Sequence, residues 1–412
     1  MPSVARKNLF EDIPRFLVAQ AGIMFAVSLV TIQTGILSGF TRSTTTLIDN
    51  SNADIWVAAS EMVYLELTLP IPAELANQAR EIEGVERAEA LIVRGATWRS
   101  ANGEISPIRI IGYDPAGQLF TPGEAIEGNW SDVREPYTFL LDKANLDSLN
   151  LTKMGDSGTV SSLPTQLTGL TERTQSISSS TFLFTSLDSA NAYVTSGLTS
   201  TTNCRFQAGE LLCTNVYSRS ATTTSAAKPP PLTASDAITY VLIQAEPGQD
   251  LPALKRRLDA ALAGTLSYTK AEMASRTRAY WLQRTGLGFV LGLGAVVGII
   301  VGMVIVGQIL YSSVSDHIKE FGTLKAMGAS DWVLYRVIME QALWMAVLGY
   351  VPSMALCLGL GAWTLATQGI MILITPITTV GIFGITVVMC VGSALFAIQK
   401  VTHVDPAIVF KA

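Results

Sequence analysis

The residue types that most often carry chemistry are scarce in this chain and far apart. Only two histidines occur, His317 and His403, and both lie outside residues 42–285, where most of the charge is found. A histidine-based triad or zinc site in that region is therefore excluded, and no C-x-x-C pair exists, so the sequence shows neither a catalytic residue set nor a metal ligand set. No glycine precedes a lysine anywhere, so there is no G-x-x-x-x-G-K-S/T phosphate loop. If this chain works with ATP and magnesium, another polypeptide holds them. Four cysteines are too few for a disulfide scaffold. Cys357 and Cys390 fall in apolar runs, where a thiol is a small core residue. Cys204 and Cys213 fall in the polar region, nine positions apart. They either pair across a short loop in an oxidising compartment or stay as two thiols.

One loop has a spacing worth following. Residues 312–330 read SSVSDHIKEFGTLKAMGAS. Ile318, Phe321, Leu324 and Met327 recur at three-residue steps on one face. Asp316, Lys319, Glu320 and Lys325 supply the polar side, and Gly322 and Gly328 punctuate the run. This predicts a short amphipathic helix on the membrane surface or in the groove of a partner. An ordinary interfacial loop is the alternative.

The elements around that loop follow from composition. The chain has 412 residues, 49% hydrophobic and 15% charged, against about 25% charged for an average soluble protein. Residues 42–285 hold 20 of the 28 Lys+Arg and 26 of the 33 Asp+Glu. The rest is nearly free of charge in long blocks, so the chain combines a water-facing domain with lipid-compatible segments. Net charge is −5, which argues against nucleic acid as a partner.

Four segments suit the bilayer. Residues 17–40 carry no charge; at ~1.5 Å per residue they reach ~36 Å, more than the ~30 Å hydrocarbon layer. Arg6, Lys7 and Arg15 precede them, so a cleaved signal peptide competes. The apolar core of such a peptide is about 7–15 residues, and no small-x-small site follows promptly, which favours an uncleaved anchor. The other segments are 286–311, 339–365 and 376–398. In the second, Gly298 and Gly302 form a G-x-x-x-G that lets helices approach closely. Charge inside these segments is nearly absent, Glu340 being the nearest case, which argues against an ion-coupled carrier.

Basic residues set the expected direction. They mark the N-terminal segment 1–16, the 312–338 loop (Lys319, Lys325, Arg336) and the tail 399–412 (Lys400, Lys411). The 366–375 connection has none. Both termini and the 312–338 loop are thus expected in the cytosol and the 42–285 domain on the far side.

That domain reads as mixed α/β. Helical spacing covers 72–83, and strand character covers 85–98 and 105–113. Residues 138–141 read as a strand and 142–149 as a helix. Later, 237–245 reads as a strand and 251–263 as a helix. These two ends predict one subdomain, with a second inserted between them at about 115–235. Residues 214–233 read as a flexible linker ending in Pro229, Pro230 and Pro231.

The loop now admits a comparison. KEFGTLKAMGAS resembles the signature loop of MacB/FtsX-type ABC transporter permeases, roughly R-E-I-G-I/V-x-K/R-A-x-G-A. Glu320, Gly322, Lys325, Ala326, Gly328 and Ala329 match. Lys319 stands in the basic first position, and Phe321 replaces the usual isoleucine while keeping the face apolar. Glu340 matches an acidic residue common where the third membrane helix begins. Asp405, Pro406 and Ala407 resemble the family tail. The one-plus-three helix layout around a large outer domain is similar over the whole chain. The start of the chain and residues 52–57 look most like the DevC branch of cyanobacterial exporters.

The resemblance implies a four-helix membrane protein with a large extracytoplasmic α/β domain between its first two membrane helices. It implies a homodimer in the cell inner membrane, bound to a separate ABC ATPase that carries the ATP and magnesium. The 319–330 segment would be the coupling helix. Motion would pass along stalks to the periplasmic domain, with a periplasmic adaptor and an outer-membrane channel completing export. A lipoprotein-releasing permease, a regulator of cell-wall hydrolases and a membrane-anchored sensor are the competing expectations.

Overall fold

The computed structural model describes residues 13–196, 199–207, 210–218, 228–316, 330–368 and 372–402, together with Ile318, Glu320, Thr323 and Met327. It has two compact units: Phe40–Arg284, and a helical unit of Met1–Gly39 with Thr285–Ala412.

The described chain opens on a long helix, α1 (Ile13–Ser43), followed by a short one, α2 (Thr46–Asn50). β1 (Ile55–Ala59) is buried along its full length. β2 (Ile71–Pro72) and α3 (Glu74–Arg80) follow. The helix expected over 72–83 is shorter because Pro72 is drawn into β2, and Gly84, at φ +95°, lies just past its end. β3 (Val85–Arg99) and β4 (Ile105–Tyr113) occupy the two early strand segments.

β5 (Glu124–Glu127) and β6 (Thr138–Asp142) come next. The helix expected over 142–149 is instead two 3-10 turns, Lys143–Asn145 and Asp147–Leu149. The Asp142 carboxylate tightens the first turn by accepting from the Ala144 N–H at 3.0 Å. β7 (Ser157–Val160), β8 (Leu163–Glu172), β9 (Thr181–Ser186), α4 (Leu187–Thr195), β10 (Thr199–Gln207) and β11 (Glu210–Ser218) fill the Ser/Thr-rich middle. Of the linker expected from 214, residues 214–218 belong to β11; threonine, valine and tyrosine there suit a strand. Residues 219–227 lie outside the described set.

β12 (Ala237–Ile238), β13 (Tyr240–Ala245), α5 (Leu251–Ala261), β14 (Thr265–Thr269) and α6 (Lys270–Thr285) close the outer unit. The main sheet runs β14-β1-β13-β3-β4-β9-β6-β8-β5, with β7 bridging β3 and β8. Late strands therefore pair with early ones: β13 lies between β1 and β3. β3 is 15 residues long and serves both halves, pairing with β13 along its first part and with β4 and β7 along its second. The pairs β4–β9 and β6–β8 are parallel.

Both faces of the sheet are covered, as alternation within β1 shows. Ile55 and Val57 join one core with Leu75 and Ala79 of α3, Tyr193 of α4 and Leu254 and Leu258 of α5. Trp56 and Ala58 point to the opposite core with Leu47 and Ile48 of α2, Phe120, and Met273 and Ala274 of α6.

The helical unit adds α7 (Leu287–Asp316), α8 (Asp331–Gln368) and α9 (Pro376–Thr402) to the first part of α1. Among the described residues, four stretches are long and apolar enough to cross a bilayer: Phe16–Ser43, Leu287–Asp316, Tyr335–Leu365 and Pro376–Leu395. Glycines set the closest approaches. A Cβ on Gly22 would strike Ile305, one on Gly302 would strike Met389 and Ala26, and one on Gly349 would strike Ile23. Gly298 faces Leu29, so the G-x-x-x-G is a packing face against α1. The shared core holds Ile23, Val27, Val306, Leu310, Ala342, Met345 and Cys390.

Candidate functional site

The segment between α7 and α8 is described in part. Ile318, Glu320 and Thr323 are helical, and the Met327 N–H bonds the Thr323 carbonyl at 3.0 Å. That one-turn bond accords with the helical spacing read from the sequence. Ser330 turns the chain into α8, its carbonyl accepting from Val333 at 2.9 Å. Glu320 is exposed, and Met327 is 71% exposed. Lys319, Phe321, Gly322, Lys325, Ala326, Gly328 and Ala329 lie outside the described residues, as do His317 and Leu324. Glu340 is half-buried in α8, one residue before the buried Gln341.

Sequence reasoning passed over Trp332, which is 74% exposed, and its exposed neighbour Val333. A tryptophan at the edge of an apolar run was the available signal, because amphipathic rings concentrate at membrane boundaries and at protein interfaces. Glu320, Met327 and Trp332 together present a carboxylate, a flexible thioether and an aromatic ring to whatever lies outside.

Among the described residues, the buried side chains of the helical unit offer no charged path. Buried polar side chains of the helical unit include Gln20, Thr31, Gln341, Ser353, Thr386 and Ser393, all neutral. Thr31, Ser353, Thr386 and Ser393 bond back to carbonyls of their own helices, as expected in an apolar medium. A groove of about 440 Å³ along α7 is lined by Ile300, Met303, Val304, Gly307, Gln308 and Tyr311. Among the described residues no cluster of three or more His, Cys, Asp or Glu side chains could hold a metal.

In the outer unit, the β10–β11 ladder sets Cys204 directly opposite Cys213. Their side chains lie outside the described residues. Elsewhere Arg109 pairs with Glu66 at 2.8 Å, with the Glu66 side chain only 6% exposed. Tyr240 donates its hydroxyl to the Leu65 carbonyl at 2.6 Å. Burial first, and then the Glu66 carboxylate, push that hydroxyl well above its ordinary range, so it stays a donor.

Two family profiles match this chain. One, the MacB-like periplasmic core domain, covers residues 16–261; the other, the FtsX-like permease C-terminal, covers residues 292–406. The first alone takes in more than half of the sequence. The chain belongs to the MacB/FtsX-like family of ABC transporter permeases, and its domain between the first two membrane helices is of the periplasmic type.

Among individual proteins, the pyoverdine export ATP-binding/permease protein PvdT of Pseudomonas syringae pv. tomato is 25% identical over 143 residues. That stretch is 35% of this chain and 22% of the relative, so the match spans well under two thirds of that protein. Solved structures with a weaker spatial likeness include the periplasmic region of MacB from Actinobacillus actinomycetemcomitans, at 9% identity and TM-score 0.34 over 55% of this chain and 94% of that one. The extracellular domain of the ABC-type transporter YknZ from Gram-positive bacteria gives 11% identity and TM-score 0.32 over 51% and 91%.

Proposed function

We propose that this chain is the permease subunit of an ABC exporter, most like the DevC branch, driven by an ATPase on a separate polypeptide. The chain itself performs no chemistry. Two copies sit in the cell inner membrane with both termini and the 312–338 loop in the cytosol. ATP and magnesium bind the ATPase pair, whose closure pulls on residues 319–330. The helices carry that pull to the periplasmic domain, which drives efflux with an adaptor protein and an outer-membrane channel.

The observation that carries this reading is the α7–α8 loop. It combines the family pattern in sequence with an exposed Glu320, Met327 and Trp332 in space. A carboxylate and a pair of large apolar side chains suit a groove in a soluble partner. The neutral interior of the helices supports it from the other side, because force transmission needs no polar channel while a carrier does. The test is purification of the full chain from its native membrane in mild detergent. A P-loop ATPase is expected to co-purify in near-equal amount. Recovery of the chain with no ATPase, under conditions that preserve its fold, would sink the reading.

The periplasmic placement leads to a second expectation. Residues directly opposite in an antiparallel ladder have Cα atoms about 4.5–5.5 Å apart, inside the range a disulfide needs. We expect Cys204 and Cys213 to be linked, closing the β10–β11 hairpin. Mass spectrometry of a non-reduced digest should show the two peptides joined, and reduction should separate them. Two alkylated thiols without reduction would overturn both the link and the oxidising location.

A further inference from the structure

We infer that residues 60–70, with Ile177, form an apolar collar that seats in the headgroup–acyl boundary of the outer leaflet of the bilayer. The inference rests on the membrane span of α1 and not on the coupling role of the α7–α8 loop.

The collar is built from large apolar side chains that one loop and one neighbour hold outward together. Val63, Leu67 and Leu69 are 39%, 48% and 54% exposed, and Ile177 is 41% exposed. Their exposure is not the slackness of a loose loop. The Val63 N–H bonds the Leu67 carbonyl at 2.9 Å. Arg276 donates to the carbonyls of Met62 at 3.0 Å and Val63 at 3.2 Å. The Leu65 N–H donates to the Thr277 hydroxyl, and the Tyr240 hydroxyl donates to the Leu65 carbonyl. The loop is therefore fixed with Met62 and Leu65 inward in the core and Val63, Leu67 and Leu69 outward.

Two tethers bring these residues to the end of a membrane helix. In the first, Tyr64 stacks on Tyr280 at 4.1 Å and meets Trp281 edge-on at 5.5 Å; Trp281 meets Phe40 edge-on at 6.2 Å. Phe40 is within the apolar span Phe16–Ser43. In the second, the Ile177 N–H donates to the Ser43 hydroxyl at 3.3 Å, and Ser179 donates to Glu66 at 2.7 Å. Ser43 is the last residue of that same span. The collar is thus tied to the last four residues of the apolar span of α1.

What surrounds it has the chemistry of a lipid interface. Tyr64, Tyr280 and Trp281 are the ring types that gather at headgroup level. Arg42 and Arg284, both exposed, lie in the last turns of α1 and α6, where lipid phosphates would meet them. Apolar side chains beside such a belt bury about 5–10 Å into the headgroup–acyl boundary. A lipid surface therefore fits the collar better than a soluble partner, which would have no reason to sit at the end of that span.

The test uses the full chain in lipid nanodiscs. Leu67→Cys, Leu69→Cys and Met154→Cys variants are labelled with an environment-sensitive fluorophore; wild-type chain treated in parallel gives the background from native cysteines. Met154 is exposed in the same unit without a described tether to the end of α1. Lipids carry a nitroxide on the headgroup, near the top of the acyl chain or near its middle. We expect about a twofold or greater loss of fluorescence at positions 67 and 69 with the two shallower nitroxides. Little loss is expected from the deepest one, and none at position 154. Equal, weak quenching at all three sites would overturn the proposal. Efficient cross-linking of Leu67→Cys between two copies, with no quenching by lipid, would also overturn it and assign the patch to a second copy of the chain.

Discussion

Replacing Glu320 with alanine, or Trp332 with alanine, should weaken ATPase association by roughly 30-fold each, about 2 kcal/mol, the scale of a residue at the centre of an interface. Gly328→Val should be at least as damaging to coupling. A glycine in a docking segment admits close approach of a partner backbone, and a β-branched side chain denies it. Glu320→Ala and Trp332→Ala leave the cores alone: both residues are exposed, and neither belongs to the three buried clusters. The folded chain should therefore accumulate normally. Two measurements separate binding from transmission. Equilibrium binding of the purified ATPase reports the first, and stimulation of ATP hydrolysis by the reconstituted chain reports the second. Glu320→Ala and Trp332→Ala are expected to lose binding, and Gly328→Val to lose stimulation at saturating ATPase. Wild-type values in both assays for all three would remove the coupling role from this segment.

The largest expected effect on stability is at Asp142. Its carboxylate is 4% exposed and gathers two separate segments. One oxygen accepts from the Ala144 N–H at 3.0 Å; the other accepts from the Thr174 N–H at 2.7 Å, the Thr174 hydroxyl at 3.0 Å and the Gln175 N–H at 3.2 Å. Asp142→Ala strands the Thr174 N–H and hydroxyl in a buried site and also removes the acceptor of the half-buried Gln175 N–H and the exposed Ala144 N–H, at about 1–3 kcal/mol for each buried donor left unpaired. A total of roughly 3–5 kcal/mol is expected, which places the variant among the severe ones. Asp142→Asn keeps one acceptor oxygen and should lose about half as much. Hydrogen exchange of the Ala144, Thr174 and Gln175 amides in the full chain reads this directly. Alanine should accelerate them by roughly 100-fold or more, and asparagine less. Unchanged exchange in the alanine variant would show that water or another acceptor serves these amides. The same knot holds the chain just before Ile177, so Asp142→Ala should also loosen the collar at the end of α1.

Several elements could be read from neighbouring residues alone. β4 covers the same residues, Ile105–Tyr113, as the run ISPIRIIGY that marks it. β3 runs one residue past its predicted end, at Arg99. The short helix expected over 142–149 failed for a reason that lies elsewhere in the chain. Asp142 is committed to Thr174 and Gln175, more than 30 residues away, and no local pattern announces that bond. The β10–β11 hairpin was hidden for a different reason: its residues lie in a Ser/Thr-rich middle with no clear alternation, and 214–218 read as part of a linker until the ladder pairs them. For the α7–α8 loop the proposed coupling role rests on the spacing and family pattern in the sequence. Sequence reasoning missed Trp332, because one aromatic residue at a helix start has no periodicity to betray it.

The sequence by itself determined the four apolar spans, the mixed α/β character of the domain between the first two, and the absence of histidine, zinc or phosphate-loop chemistry from that domain. These follow from run length, alternation and residue count, which are local properties. The tertiary structure decided which distant segments share a surface. It put β13 between β1 and β3, made β3 common to both halves of the sheet, and brought Tyr64, Tyr280, Trp281 and Ile177 to the last turn of α1. Long-range packing and hydrogen bonds set those meetings, and no window of neighbouring residues contains them.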